Sequence, residues 1–148
     1  MTAASTVCDT PATATDTSGL FHQVAFNHLL GLRRELAADG VSRLVLDARA
    51  ELTNNFGNVH GGVLMTMLDG AMTSAALSHT GFTRAAMTIE MSTQFHRPAR
   101  GTLTAHGRAT RAGGSICFCE AHIEDTAGEM VARAVGSFKF MTPHPGAR

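Results

Sequence analysis

The residues best suited to chemistry lie in one stretch, which contains the tripeptide His60-Gly61-Gly62 and, nine positions after the histidine, the acid Asp69. Between residues 52 and 83, Asp69 is the only Asp, Glu, Lys or Arg. A carboxylate in such an apolar segment is costly unless it is used or neutralised. Burial should keep it basic, which suits attack on a carbonyl or activation of water. The alternative is a structural acid with a buried partner, although no cation lies nearby in the sequence.

The glycine pair is expected to begin a long helix, from about residue 62 to residue 78, because the residues that follow are apolar on every side. The first backbone N–H groups of a helix have no partner within it and carry the positive end of its dipole. The N–H groups of Gly61 and Gly62 could therefore bind a developing oxyanion. Asn54 and His60 flank this terminus and can donate or accept hydrogen bonds.

Gly61 and Asp69 are too far apart to act on one carbonyl within one chain. Eight residues at ~1.5 Å rise separate them by roughly 12 Å along the axis, and eight steps of ~100° turn them apart. Acyl-transfer chemistry requires both groups near one reacting carbonyl, at ~3 Å. Two helices placed antiparallel by a two-fold axis would bring Gly61 of one subunit near Asp69 of the other. We therefore predict either two unrelated groups or an active site shared between subunits.

The flanking segments predict an α+β fold in which one antiparallel sheet wraps around this long helix. A short helix at residues 20–30, closed by Gly31, precedes two strands at residues 32–37 and 41–50, and Asp39-Gly40 suits the tight hairpin between them. Four strands should follow the long helix, at residues 85–96, 102–110, 115–124 and 130–141. A helix that is apolar all round must be covered, so we expect a partner subunit to cover what the sheet does not.

The first of these four strands alternates with a period of two residues. Met87, Ile89 and Met91 fall on one face, and Thr88 and Glu90 fall on the other. Simple alternation therefore turns Thr88 away from the apolar face of this strand.

Composition excludes several classes of protein. With 148 residues, 44% of them hydrophobic, and a formal net charge of zero, the chain suits one domain and is a poor partner for nucleic acid or an anionic membrane. We expect a disordered leader at residues 1–18, the domain at residues 19–142 and a flexible tail at residues 143–148. The chain has three cysteines, and their spacing is not that of a disulfide framework. We also see no signal peptide or membrane span in the sequence, and together these features favour a cytoplasmic setting.

No metal site is predicted. His96, His106 and His122 lie on different expected strands, but strand histidines on a solvent face are commoner than ligands, and no supporting acids are evident. Cys117 and Cys119 share one strand face and are interpreted as packing residues.

The pattern Asn54-x-x-Gly57-x-x-His60-Gly61-Gly62, followed by Asp69, resembles the hotdog-fold acyl-CoA thioesterases. The resemblance is to the phenylacetic-acid-degradation (PaaI-like) type within the 4-hydroxybenzoyl-CoA thioesterase superfamily, and it covers residues 20–141. It implies hydrolysis of an aryl- or medium-chain acyl-CoA to the free acid and coenzyme A, with no further cofactor and no metal. It also implies a homodimer, assembled further into a dimer of dimers.

The same resemblance implies roles for individual residues. Asp69 would be the nucleophile or general base, and the Gly61 amide of the opposite subunit would polarise the thioester carbonyl. His60 would hydrogen-bond near the thioester, and Asn54 would help to hold the attacking water or the carboxylate. Thr88 stands where the family often has a serine that orients water beside the acid; it departs from that pattern but keeps the hydroxyl.

Further contacts to the substrate follow from neighbouring positions. Thr73 lies one helical turn after Asp69 and is a second hydroxyl candidate. The Gly113-Gly114-Ser115 turn resembles a place where relatives contact the nucleotide end, which makes Gly114 and Ser115 candidate binding residues. The arginines available for the phosphates of coenzyme A are Arg84, Arg97, Arg100, Arg108 and Arg111.

Two other functions remain open at this stage. A hotdog-fold enoyl-CoA hydratase or dehydratase would need an acid and a histidine on the central helix, and their usual spacing is absent here. A non-catalytic acyl-CoA-binding protein would keep the fold and the pocket. A sensor of that kind normally carries a DNA-binding segment, which neither the 18-residue leader nor the neutral charge supplies.

Overall fold

A computed structural model of the protein describes residues 20–142. The expected leader and tail, and Cys8 with them, lie outside the described residues. Within residues 20–142, no helix combines the length and apolar character needed to cross a bilayer.

Two short helices, α1 (Leu20–Gln23) and α2 (Ala25–Leu30), replace the single helix predicted before the hairpin. The break falls at Val24, which has an extended backbone. Gly31 ends α2 as predicted, at a φ of 72° that a glycine adopts without a Cβ penalty.

The predicted hairpin is present, and its strands are β1 (Arg33–Ala38) and β2 (Val41–Asp47). Asp39 and Gly40 both have positive φ, 49° and 80°, as the mirror-image turn of a two-residue hairpin requires. β2 ends earlier than predicted because the chain turns into a 3-10 helix at Ala50–Leu52.

The remaining elements confirm the predicted order to within two residues at each end. They are the long helix α3 (Gly61–His79) and the strands β3 (Ala85–Phe95), β4 (Thr102–Ala112), β5 (Ile116–Glu124) and β6 (Met130–Met141). All pairings are antiparallel, and the sheet order is β1-β2-β4-β5-β6-β3. The α+β architecture, with one sheet around one helix, is confirmed.

The helix lies directly against the centre of the sheet. Met67, Leu68 and Met72 of α3 are fully buried. Closest approach is at Gly107 of β4, where an added Cβ would lie 2.4 Å from the carbonyl oxygen of Ala71. The absence of a side chain at residue 107 therefore lets α3 approach the sheet closely.

One strip of α3 is not covered by the sheet. Met65 is 41% exposed, and the nearby Phe26 and Leu29 are 52% and 67% exposed. Large exposed apolar side chains in one region are typical of an interaction surface. The prediction that a partner subunit covers this strip is consistent with them.

Candidate active site

Asp69 lies in the middle of α3 and is held by a residue of the neighbouring strand. The Thr88 hydroxyl donates a hydrogen bond of 2.6 Å to Asp69 Oδ1. The expectation of a deeply buried carboxylate is wrong for the single chain, because Asp69 is only partly buried. A short bond from a hydroxyl to an ionised carboxylate fixes the orientation of the acid without neutralising it.

Thr88 reaches Asp69 because the strand contains a β-bulge. The register of β3 on β6 shifts between Thr88 and Glu90, which leaves Ile89 as the extra residue. Ala86 and Met91 pack against the core on either side of this shift. Strict alternation, which turned Thr88 away from the face of Met91, is therefore wrong at this point. No feature of the sequence marks the bulge.

The N-terminus of α3 has one backbone donor left over. His60 is the N-cap, and its Nδ1 accepts a 2.9 Å hydrogen bond from the N–H of Gly62. A neutral His60 ring with Nδ1 as acceptor carries its proton on the exposed Nε2. Among the described residues, the Gly61 N–H has no acceptor. Of the two glycine N–H groups, Gly61 is thus the free donor, and Gly62 is already engaged.

Asn54 shapes the loop before this helix. Its Oδ1 accepts hydrogen bonds from the N–H groups of Phe56, at 2.9 Å, and Asn58, at 3.2 Å. Arg100 closes the same loop by donating to Asn58 Oδ1 at 2.7 Å. The side-chain oxygen of Asn54 is therefore used within the loop, and its amide nitrogen is the atom that could contact a ligand.

Asp69 lines a largely apolar cavity of about 490 Å³. Thr73 and Leu77 extend the same face of α3 along this cavity, as the helical spacing predicted for Thr73. Phe21 and Phe82 also line it.

A cation lies between these two aromatic rings. The guanidinium carbon of Arg34 lies 4.9 Å from the ring centre of Phe21 and 5.4 Å from that of Phe82. The cavity thus combines two aromatic rings with a positively charged group.

His60 and Gly62 line a different cavity, of about 500 Å³, together with Phe26 of α2. Asp69 is not part of its lining. Of the predicted site residues, Asp69 and Thr73 therefore line one cavity of the chain, and His60 and Gly62 line another. Gly61, Asn54 and Thr88 are not part of either lining. Only Thr88 and Thr73 accompany Asp69, as the arithmetic of helix length indicated.

The turn between β4 and β5 is linked to the Asp69 cavity through Arg84. Arg84 lines that cavity and donates to the carbonyl oxygen of Gly114 at 2.5 Å. The Ser115 carbonyl accepts from the N–H of Phe140, which fixes the turn on the sheet. Gly114 and Ser115 therefore lie beyond one end of the cavity.

Most of the candidate arginines already have partners. Arg97 and Arg108 pair with Glu129 and Glu120, and Arg100 bonds the loop before α3. Within residues 20–142, Arg111 has neither a hydrogen-bond nor an ion-pair partner, and it precedes the Gly113-Gly114 turn.

A second cluster lies on the opposite face of the sheet. The rings of His106 and His122 are stacked at 5.1 Å, and His106 Nε2 lies 3.1 Å from Glu124 Oε1. Burial, followed by the neighbouring His106, lowers the pKa of His122. His96 is not part of this group, so the three-histidine grouping weighed from the sequence is not formed. The sequence prediction missed the acid of this cluster, Glu124. Its position two residues after His122, on the same face of the strand, could have indicated it.

Cys117 and Cys119 are free, buried residues whose sulfurs lie 3.6 Å apart. Burial raises the pKa of both thiols. Their interpretation as packing residues is consistent with these positions.

Comparisons with known proteins agree on one family. The Thioesterase superfamily model matches residues 56–132. A candidate esterase of Halobacterium salinarum is 34% identical over 140 residues, which cover 86% of this chain and 93% of that protein. A conserved protein of Pseudomonas aeruginosa has a TM-score of 0.77 at 30% identity, over 79% of this chain and 94% of its own. The PaaI protein of the Escherichia coli phenylacetic acid degradation operon, at 22% identity over 83% of this chain and 88% of its own, is similar in fold with a TM-score of 0.78. This chain therefore belongs to the thioesterase superfamily and has its hotdog fold.

Proposed function

We propose that this thioester hydrolase cleaves an acyl-CoA to the free acid and coenzyme A, in sites that two subunits share. One subunit supplies Asp69, and the other supplies the N-terminus of α3 with Gly61. The observation that carries this proposal is the separation of the two groups. Asp69 lines one cavity of the chain, and His60 with Gly62 lines another. A two-fold arrangement that joins the two cavities would complete two identical sites.

The free N–H of Gly61 suits the stabilisation of charge on the thioester carbonyl. In the water route, Asp69 takes a proton from water while the water oxygen bonds to the carbonyl carbon. The carbonyl electrons move to oxygen, where the Gly61 N–H and the helix dipole stabilise them. The C–S bond then breaks as the carbonyl re-forms, and the thiolate of coenzyme A takes up a proton. In the covalent route, the Asp69 carboxylate attacks the carbonyl carbon first, and the C–S bond breaks to release the thiolate of coenzyme A, which takes up a proton. Water then hydrolyses the mixed anhydride to the free acid and the Asp69 carboxylate.

The neighbours of these two groups would act as positioning residues. Thr88 fixes the orientation of the carboxylate through its 2.6 Å hydrogen bond. His60 caps the helix and presents Nε2–H on the outside. Asn54 holds the loop that leads to the terminus, and Thr73 offers a second hydroxyl to the acyl group.

The lining of the Asp69 cavity favours an aryl over a plain aliphatic acyl group. Phe21 and Phe82 line the cavity, and an aromatic acyl group gains edge or stacking contacts with such rings beyond its buried area. Arg34 places a guanidinium beside both rings, where a hydroxyl or carboxylate on the acyl ring would find a donor. We therefore place aryl-CoA thioesters with a polar ring substituent first and medium-chain acyl groups second.

Coenzyme A would then extend towards the turn between β4 and β5. Arg111 and Lys139 are cations near that turn whose side chains have no partner within the described residues, and the Gly114 and Ser115 backbone lies close by. One guanidinium and exposed backbone amides are the usual ligands of a phosphate.

Dimerisation has support in the exposed apolar surface around the two cavities. Phe26 lines both cavities and is 52% exposed, and Met65 and Leu29 lie next to it. β3 also ends the sheet as an edge strand and could pair with a second copy. Pairing of two such dimers would give the expected dimer of dimers.

The test is a panel of acyl-CoA thioesters assayed by release of free thiol, with wild-type protein and the Asp69→Asn variant. The panel contains benzoyl, hydroxybenzoyl, phenylacetyl and C6–C12 aliphatic thioesters. We expect thiol release from the wild-type protein, with aryl substrates preferred, and a loss of at least about 100-fold in Asp69→Asn. Absence of thiol release across the panel from folded protein, or full activity in Asp69→Asn, would overturn the proposal.

The same panel separates the two rivals. A hydratase would leave the thioester intact and add water to an enoyl-CoA, which is detected as a loss of enoyl absorbance without thiol. A binding protein would hold an acyl-CoA in equilibrium dialysis but release no thiol.

A further inference from the structure

We propose that His106, His122 and Glu124 bind one divalent transition-metal ion of the zinc type on the outer face of the sheet. This site is separate from the Asp69 site and does not depend on the proposed thioesterase activity. The three side chains each offer one ligand atom, and these atoms all lie within 4.8 Å of one another.

The sheet itself brings the three ligands together. His106 of β4 is directly opposite His122 of β5 in the ladder, and Glu124 follows His122 by two residues on the same face. Side chains of directly opposite residues lie close enough to bind one ion. Because all three ligands are on paired strands rather than on a loop, the backbone already fixes their relative positions.

The ligand atoms already lie at separations close to those around a bound ion. Tetrahedral zinc with bonds of ~2.0–2.1 Å holds neighbouring ligand atoms roughly 3.4 Å apart. His106 Nε2 and Glu124 Oε1 are already 3.1 Å apart. The rings of His106 and His122 are stacked 20° from parallel, so at least one of them must turn about its side-chain bonds before both nitrogens point at one ion.

The chemistry of the set matches zinc better than a hard cation. Two imidazoles and one carboxylate are the ligands of a common zinc centre, whereas calcium and magnesium take mainly oxygen ligands. Glu120 lies on the same face of β5 and is neutralised by Arg108, at 2.5 Å. Glu124 is therefore the acid available to balance the charge of the ion.

The position of the site predicts a structural effect. The ion would join β4 to β5 on the face opposite α3, since Ala105 and Ile123, which pair with each other next to the ligands, are buried in the core. His106, His122 and Glu124 are each partly exposed, so the ion would complete its coordination with water. The expected consequence is a higher melting temperature with metal and no change in the chemistry at Asp69.

The experiment uses tag-free, full-length protein that has been treated with a chelator and then titrated with Co²⁺ and Zn²⁺. Co²⁺ reports its coordination through visible absorption bands, and Zn²⁺ binding is followed by calorimetry and by thermal unfolding. The variants are His122→Gln and Glu124→Gln, with His96→Gln as the matched control, because it removes a histidine that is not part of the cluster. Metal-free melting curves show that the variants fold.

We expect one ion per chain, a rise in melting temperature with Zn²⁺, and Co²⁺ bands in the wild-type protein and in His96→Gln. In His122→Gln and Glu124→Gln the affinity should fall at least about tenfold and the melting shift should disappear. The Asp69→Asn variant should bind the ion like the wild-type protein, which separates this proposal from the proposed function. The proposal would be overturned if the wild-type protein did not bind one ion per chain. It would also be overturned if the two ligand variants bound the ion as tightly as the wild-type protein.

Discussion

Replacement of Thr88 by valine tests how Asp69 is held. Thr88→Val removes the hydroxyl that donates to Asp69 Oδ1 and keeps the shape and the strand preference of the side chain. The carboxylate then loses its fixed orientation, while the acyl pocket and the binding of the coenzyme A part of the substrate are left unchanged. We therefore expect kcat to fall with little change in KM.

The size of the effect follows from the kind of bond. A hydrogen bond to a charged group contributes ~1.5–3 kcal/mol, and solvent around the exposed Thr88 and the partly buried Asp69 reduces this to about 1–2 kcal/mol. At about 1.4 kcal/mol for each factor of ten, kcat should fall roughly 5- to 30-fold.

The assay is steady-state thiol release with the best substrate of the panel. Thr88→Ser keeps the hydroxyl and should recover most of the wild-type kcat. Thr93→Val, on the same strand, is a control that leaves Asp69 untouched. A wild-type kcat in Thr88→Val, or a change confined to KM, would refute the role of Thr88 as a positioning residue.

Three further changes test the fold around the site. Gly107→Ala places a Cβ 2.4 Å from a carbonyl oxygen of α3, and urea unfolding should show a free energy of unfolding that is lower by about 3 kcal/mol. Gly114→Ala is the control, because the space around Gly114 is open and its free energy of unfolding should not fall in this way. Thr93→Val should raise the free energy of unfolding by about 1 kcal/mol, because the Thr93 hydroxyl is buried without a partner among the described residues. A lower free energy of unfolding in this variant would contradict the expectation. Cys117 and Cys119 should resist iodoacetamide at pH 8 in the folded protein, since burial raises the pKa of both thiols, and should react in denaturant; peptide mapping that finds them labelled in the native state would contradict this.

The order of the elements and the separation of Gly61 from Asp69 could be predicted from the sequence because both depend on local patterns. A period of two residues predicted the strands, the run of residues that is apolar on every side predicted α3, and the dipeptide Asp39-Gly40 predicted the hairpin. The spacing of Gly61 and Asp69 alone showed that one chain could not bring them together.

What could not be predicted depends on pairing between distant segments. The bulge that turns Thr88 towards Asp69 is a property of the β3–β6 ladder, and no residue type near it signals an extra residue. The register of β4 on β5, which places His106 opposite His122, likewise cannot be inferred from either strand alone. The N-cap role of His60 follows from a side-chain rotamer that the sequence does not fix.

The shared site is the central claim, and subunit mixing tests it most directly. Gly61→Pro removes the free N–H at the first position of α3, where proline is well tolerated, and Gly61→Ala is the control that keeps this donor. Asp69→Asn removes the acid. Each variant alone should be nearly inactive, and only their hybrids contain an intact site.

In an equal mixture after complete subunit exchange, half of the dimers are hybrids and each has one intact site of two, so about a quarter of the wild-type thiol release should return. Native mass spectrometry measures the hybrid fraction in the same sample. Recovery of about a quarter of the activity is the predicted result. Activity that stays at the level of the separate variants, in a sample with proven hybrids, would contradict the account.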